Sequence, residues 1–162
     1  YESPERDKHL AEYTLQLLTP HSRYPFHIMG DEKGCTIRDI VDHRVRIDAD
    51  EYLVATINGS DADDRSIKNH DLIRLWNNRG SVVCAAYVTD RLQPGVVSVP
   101  TASAEYRPAG EPGNSTDLGG CINLLSPKQN ITEHTHSIKP NTTLIQMEKW
   151  TGVDTWQRTE AL

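Results

Sequence analysis

The sequence predicts an all-β domain that closes on itself as a barrel. Three observations carry that expectation. The apolar runs are short and strand-like, turn-forming residues separate them at close intervals, and only one or two stretches leave room for a small helix. A parallel α/β sheet would instead alternate strands with helical stretches of about 10–15 residues, and no such alternation occurs.

Residues 1–12 are charged and unpatterned, and read as a linker or an arm from a preceding domain. Residues 13–19 alternate and then run apolar, a buried-strand pattern that Pro20 stops. Residues 20–27 form a loop rich in hydrogen-bond donors, Gly30 to Gly34 a second loop, and residues 35–41 a helical turn. Residues 53–57 are a strand, and residues 58–65 read as a turn running into a short helix with Ser60 as N-cap and aspartates in the first turn.

Residues 68–71 are a turn. Residues 72–76 and 81–89 are β-rich runs, joined by Asn77, Asn78, Arg79 and Gly80 as a hairpin loop of residues that tolerate positive φ. The Gln93-Pro94-Gly95 turn leads into a strand at 96–99. Residues 101–120, with Pro108, Pro112 and several glycines, read as one long loop; loops of that length are commonly functional, and this one holds Glu105, Tyr106 and Asp117. Short strands at 123–125 and 144–147 close the pattern. The barrel thus occupies residues 13–150, and residues 151–162 form a polar tail.

With 36% hydrophobic and 25% charged residues in 162, the composition is that of one ordinary globular domain. The net charge of −6 argues against a general electrostatic grip on nucleic acid or anionic lipid, so any anionic ligand must meet locally concentrated positive charge. No apolar run reaches the length of a membrane span, and no secretory signal is visible, which points to the cytoplasm. Cys35, Cys84 and Cys121 are widely spaced and belong to no paired motif, as expected for isolated thiols in a reducing compartment. Four Asn-x-Ser/Thr sequons, at Asn58, Asn114, Asn130 and Asn141, favour the competing class, a secreted non-enzymatic β-domain.

The loop after the first strand is the principal candidate site. Thr19, Pro20, His21, Ser22, Arg23 and His27 bring hydroxyl, imidazole and guanidinium groups to the end of a buried strand. Guanidinium binds phosphate oxygens bidentately, and loop N–H groups add fixed dipoles, so such a set suits a phosphate- or pterin-bearing ligand. The same composition also fits a polar surface loop with incidental histidines. His134 and His136 have no third ligand nearby, and the Asp61 to Asp64 run lacks the glycine and terminal glutamate of a calcium loop, so no metal site is expected. Trp76, Trp150 and Trp156 read as core or edge packing. No hydrolase, kinase or nucleotide-loop motif occurs, and no nucleophile–base pair, so no catalytic residue is assigned within this chain.

Five stretches in order resemble the molybdopterin-dinucleotide-binding domain that ends the catalytic subunit in the dimethyl-sulfoxide-reductase superfamily. They are Leu17 to His27; Ile57 to Ala62, with Gly59 where the family has proline; Asp71 to Val82, preceded by His70 where the family has glycine; Val88 to Val97; and Gly119 to Pro127, with Ser126 for threonine. Residues 42–45, 104–106 and 117–120 look in addition like the large subunits of pyrogallol hydroxytransferases (transhydroxylases). Thiosulfate, polysulfide and dimethyl sulfoxide reductases share the coarser pattern.

The resemblance implies a six-stranded double-psi β-barrel with a few short helices. It also implies one share of a site for a bis-molybdopterin guanine dinucleotide holding Mo or W, with the catalytic residues in preceding domains of the same subunit and an iron–sulfur electron-transfer subunit as partner. Carried onto this sequence, Thr19, Pro20, His21, Ser22, Arg23 and His27 form the cofactor loop and Asn123 makes a second contact through its amide. Arg44, Glu105, Tyr106 and Asp117 are further cofactor contacts. The local charge agrees: Arg23, Lys33, Arg38, Arg44, Arg46 and three histidines face Asp31, Glu32, Asp39 and Asp42 between residues 19 and 46, in an otherwise acidic chain.

Overall fold

The computed structural model describes residues 12–23, 43–101, 106–127, 141 and 143–152. Within them the strands are β1 (Leu15–Leu18), β2 (Arg44–Ile47), β3 (Asp50–Ile57), β4 (Leu72–Asn77), β5 (Gly80–Val88), β6 (Val96–Ser98), β7 (Pro108–Ala109), β8 (Thr116–Asp117) and β9 (Thr143–Lys149). One short helix, α1 (Gly59–Asp63), and one 3-10 turn (Ile122–Leu125) complete the described elements. The domain is all-β, as the sequence predicts.

Six of these strands close a barrel. β1 pairs in parallel with β6, β6 antiparallel with β3, and β3 in parallel with β5. β5 then pairs antiparallel with β4, β4 with β9, and β9 with β1, which completes the ring. Closure leaves no open edge among the six. The strand directions also fix what meets at each end. One end, called the upper end here, gathers the C-terminal ends of β1, β4 and β6 with the N-terminal ends of β3, β5 and β9.

Alternation explains the interior. Leu15 and Leu17, Leu53, Ala55 and Ile57, Ile73 and Leu75, Val82, Cys84 and Ala86, Val97, and Ile145 and Met147 all point inward and are buried. A fully buried aliphatic side chain contributes roughly 1.5–3 kcal/mol, so this lining is the main source of stability. β5 reads as a continuous apolar run because its other face is covered too. Val83 and Ala85 form a second cluster with Tyr52, against which Val45, Leu72, Leu118 and Trp150 pack.

Several local expectations are corrected. The N-cap of α1 is Asn58, not Ser60: its side chain accepts from the Ser60 N–H at 2.8 Å and the Ser60 hydroxyl at 2.7 Å. Its amide also donates to Leu92 O at 2.7 Å, which leaves the residue buried and its sequon occupied by structure. The β4–β5 connection has only Asn78 and Arg79 between the strands, and neither has positive φ. The turn is made by the Asn77 side chain, whose carbonyl accepts from Arg79 N–H at 2.9 Å.

Residues 123–125 belong to the 3-10 turn rather than a strand. Ile122 and Leu125, three apart, are buried together while Asn123 and Leu124 face out, which fits three residues per turn. The stretch 101–120 holds β7 and β8 rather than only loop. Trp76 is half-buried on the outer face of β4, its ring 5.7 Å from Tyr13 in a T-shaped contact. The helical turn expected at 35–41, and His134 and His136, lie outside the described residues. Among the described residues no helix is long and apolar enough to cross a membrane.

Candidate functional site

The segment that follows β1 is fixed by three separate parts of the upper end. Beyond β6 the chain keeps running beside it: Val99 N–H donates to Leu18 O at 3.0 Å and Thr101 N–H to Pro20 O at 2.9 Å, and His21 bridges Thr101 in parallel. From the start of β9, the Asn141 side-chain carbonyl accepts from Thr19 N–H at 3.3 Å, while its backbone carbonyl accepts from the Gln16 amide. From the start of β2, His43 Nδ1 lies 3.3 Å from Ser22 Oγ. Thr19 and Ser22 are half-buried; Pro20, His21 and Arg23 are exposed. The loop is therefore held from behind, with His21 and Arg23 exposed.

Asn123 belongs to the same end. The buried Asn77 amide at the tip of β4 donates to Leu125 O at 2.9 Å and to Leu144 O at 3.2 Å, so the 3-10 turn is tied to the start of β9. Arg79 adds a guanidinium bond to Leu125 O at 3.2 Å, and burial lowers its pKa. The Asn123 side chain is exposed.

Two expected site residues are placed elsewhere by the structure. Asp117 is only 1% exposed, and its carboxylate accepts backbone N–H bonds from Arg107 at 2.7 Å, Gly119 at 2.9 Å and Cys121 at 2.6 Å. It holds the turn that leads to Asn123. Arg44 is buried at the start of β2, within electrostatic reach of the Cys84 thiol. Burial, with the Asp117 carboxylate adding to it, pushes that thiol up to about 12, and Arg44 pulls the other way. The Cys121 thiol is raised for the same two reasons.

Tyr106, 54% exposed, lines a cleft of about 480 Å³ on the outer wall of the β4–β5 hairpin, with Arg74, Arg79 and Asn114. The segment after it is clamped by Arg107, whose guanidinium bonds Asp50 and Leu118 O at 2.7 Å each and Glu51 O at 3.1 Å. His27 and Glu105 lie outside the described residues. His43, Asn77, Thr101, Arg107 and Asn141 carry the architecture of the site, yet none was a sequence-level candidate. Each is a single polar residue whose partner is distant in sequence.

Four segments of this end are one-sided in their chemistry, while Asp50 and Glu51 at the start of β3 are engaged by Arg107 and Arg46. The segments 19–23, 77–80, 99–101 and 122–125 contain no aspartate or glutamate, although the whole chain has 23 acidic residues against 17 Lys and Arg. Hydroxyls, an imidazole, two guanidiniums and amides remain. Among the described residues no cluster of three metal-ligating side chains exists. The donor set therefore fits the phosphate and pterin portions of a nucleotide-like cofactor.

A closed six-stranded barrel with such donors at one end suits a polyanionic cofactor. Residues 15–145 match the family model described as "Molydopterin dinucleotide binding domain", and the chain belongs to that family. It is thus a molybdopterin-dinucleotide-binding domain, for a cofactor that carries Mo or W.

The chain is 44% identical over 152 residues to the pyrogallol hydroxytransferase large subunit of Pelobacter acidigallici, an overlap of 94% of this chain and 17% of the relative. It is 37% identical over 148 residues to trimethylamine-N-oxide reductase 1 of Escherichia coli, covering 87% and 16%. Acetylene hydratase from Pelobacter acetylenicus shares the fold with a TM-score of 0.64 at 16% identity, over 92% of this chain and 20% of that one. The chain thus spans about a sixth of the curated relatives it matches.

Proposed function

We propose that this chain serves as the cofactor-closing domain of the large subunit of a pyrogallol-hydroxytransferase-like enzyme, over a bis-molybdopterin guanine dinucleotide with Mo or W. One observation carries the reading: the acid-free, donor-lined segment 19–23 at the end of β1, pinned from β2, β6 and β9. The similarity to the Pelobacter acidigallici subunit over 94% of the chain supports the choice of relative. The cofactor would supply the redox or hydroxyl-transfer chemistry at its metal, and this domain would supply binding and orientation.

Arg23 would take phosphate oxygens through its planar fork, and Thr19, His21 and Ser22 would donate to pyrophosphate or pterin oxygens. Asn123 would bind pterin or guanine edges through its amide. His27, Glu105 and Tyr106 remain proposed contacts; Arg44 and Asp117 would act from behind, by holding the wall and the turn.

Residues 13–150 are read as the barrel unit, with 1–12 as an arm from a preceding domain and 151–162 as a tail. An iron–sulfur electron-transfer subunit is the proposed partner, with no nucleic-acid or membrane contact by this domain and a cytoplasmic setting. The free thiols of Cys84 and Cys121 agree with a reducing compartment. The 37% identity to a trimethylamine-N-oxide reductase favours, as the second reading, the same domain in an oxidoreductase of that type.

The test is cofactor loading of the full-length subunit. Arg23→Ala with Asn123→Ala should lower metal and pterin content at least tenfold while leaving the barrel's unfolding unchanged. Normal loading in that variant would overturn the assignment of the upper end.

A further inference from the structure

We infer that His43 is a positioning residue that aims the Ser22 hydroxyl at the cofactor, an inference that rests on the reading of residues 19–23 as the cofactor loop. A serine hydroxyl has one donor and two acceptor positions and rotates freely unless a neighbour fixes it. Ser22 has such a neighbour. His43 Nδ1 stands 3.3 Å from Ser22 Oγ, and the histidine is only 1% exposed. Its backbone is set by Val54 N–H, which donates to His43 O at 3.2 Å, and by the β2–β3 ladder that begins at the next residue with Arg44 opposite Leu53. The imidazole is thus buried on a segment tied to β3, whereas His21 on the loop itself is exposed.

The direction of this one hydrogen bond decides what the loop offers. When Nδ1 carries the proton it donates to Ser22 Oγ, and the serine proton is left for an acceptor on the ligand. When Nδ1 is bare, Ser22 donates to it, and only lone pairs face outward. A phosphate or carbonyl oxygen needs a donor, so binding selects the first arrangement. His43 then acts without touching the cofactor. This also explains why a polar ring occupies a buried position that an apolar side chain would otherwise fill.

The experiment uses the full-length, cofactor-loaded subunit and reads the rate at which metal and pterin leave it at a fixed temperature below unfolding. One net hydrogen bond corresponds to a change of about three- to tenfold. Ser22→Ala and His43→Leu should each speed release by about that factor, and the double variant no more than the larger single one, because both remove the same donor. His43→Asn places an amide where Nδ1 stood and should stay within about twofold of the parent, while His43→Gln, whose amide lies one bond farther out, should behave like His43→Leu.

Multiplicative effects in the double variant, or a His43→Leu protein that releases at the parental rate while Ser22→Ala does not, would overturn the inference and leave the cofactor-loop reading standing. Unchanged release in Ser22→Ala together with unchanged loading in Arg23→Ala would overturn that reading itself, and the inference with it. Should His43→Leu not fold, the Asn and Gln variants decide: equal release from both overturns the positioning role.

Discussion

Gly120 is where the backbone of the site and the core of the barrel meet, and Gly120→Ala tests that junction quantitatively. Gly120 has φ of +87°, in the left-handed region. A Cβ there would lie 2.7 Å from Leu53 Cδ1, 2.9 Å from its Cγ and 3.2 Å from its Cβ. Leu53 is fully buried, so it has no solvent side to retreat to. The left-handed conformation costs an L-residue roughly 1–2 kcal/mol, and overpacking a core adds about 1–3 kcal/mol. Their sum, about 2–5 kcal/mol, is a large share of a total stability of about 5–15 kcal/mol.

Gly113 supplies the control. It has the same φ of +87°, and nothing lies within 4 Å of its virtual Cβ, so Gly113→Ala should show only the backbone part, about 1–2 kcal/mol. Denaturant unfolding followed by tryptophan fluorescence measures both, and the difference isolates the clash with Leu53. Leu53→Ala in the Gly120→Ala background should recover part of the loss by making room. Equal destabilisation of the two glycine variants, or simple additivity with Leu53→Ala, would refute the assignment of Gly120 as a close-packing position.

Three further outcomes follow from particular contacts. Asn58→Ala removes the α1 cap and strands Leu92 O, and should destabilise by about 1–3 kcal/mol in the same assay, with Asn58→Asp recovering the cap alone. The Cys84 thiol, fully buried and pushed up to about 12, should resist alkylation at pH 8 in the folded protein and react at once in denaturant; mass spectrometry of the labelled peptides reads this directly. The Lys149 ammonium at 2.8 Å, and then the Lys68 backbone N–H, hold the Asp71 carboxyl below its ordinary 3.8. Its contribution is therefore present above that value and disappears as pH falls through the lower folded pKa. The pair is partly exposed, so Asp71→Asn should flatten the acid limb of stability against pH only slightly, and added salt should shrink the difference.

How far the sequence revealed the fold depended on the range of the interactions involved. β3, β4, β5 and β9 announce themselves because burial on the barrel interior imposes alternation within a few residues, and the Gln93-Pro94-Gly95 turn frames β6. β2 escaped notice because Arg44 and Arg46 alternate with Val45 and Ile47, so half of a short strand reads as charge. β7 and β8 are two residues each and exist because Arg107 reaches Asp50 and Asp117 gathers three N–H groups, contacts that no local pattern encodes. Asp117 illustrates the matching difficulty at the site. A carboxylate in a glycine-rich stretch looks alike in sequence whether it faces a ligand or its own backbone; only burial and the three short bonds distinguish the two.

The candidate site divides along the same line. Its donors lie together in sequence at Thr19 to Arg23, so they could be read from composition, but the groups that make them a site come from elsewhere. Asn141 is 122 residues from Thr19, His43 is 21 from Ser22, and Thr101 is 81 from Pro20. A loop with donors alone would lose side-chain and backbone freedom on binding, at roughly 0.5–1.5 kcal/mol for each side chain immobilised. Here β1 runs parallel to β6 and antiparallel to β9, so both neighbours deliver their connecting segments to the end where β1 finishes. Much of that ordering is complete before any ligand arrives. The barrel topology is thus a physical reason for the placement of the donors: the connections of two neighbouring strands converge on the end of β1, where the loop hydroxyls and guanidinium are found.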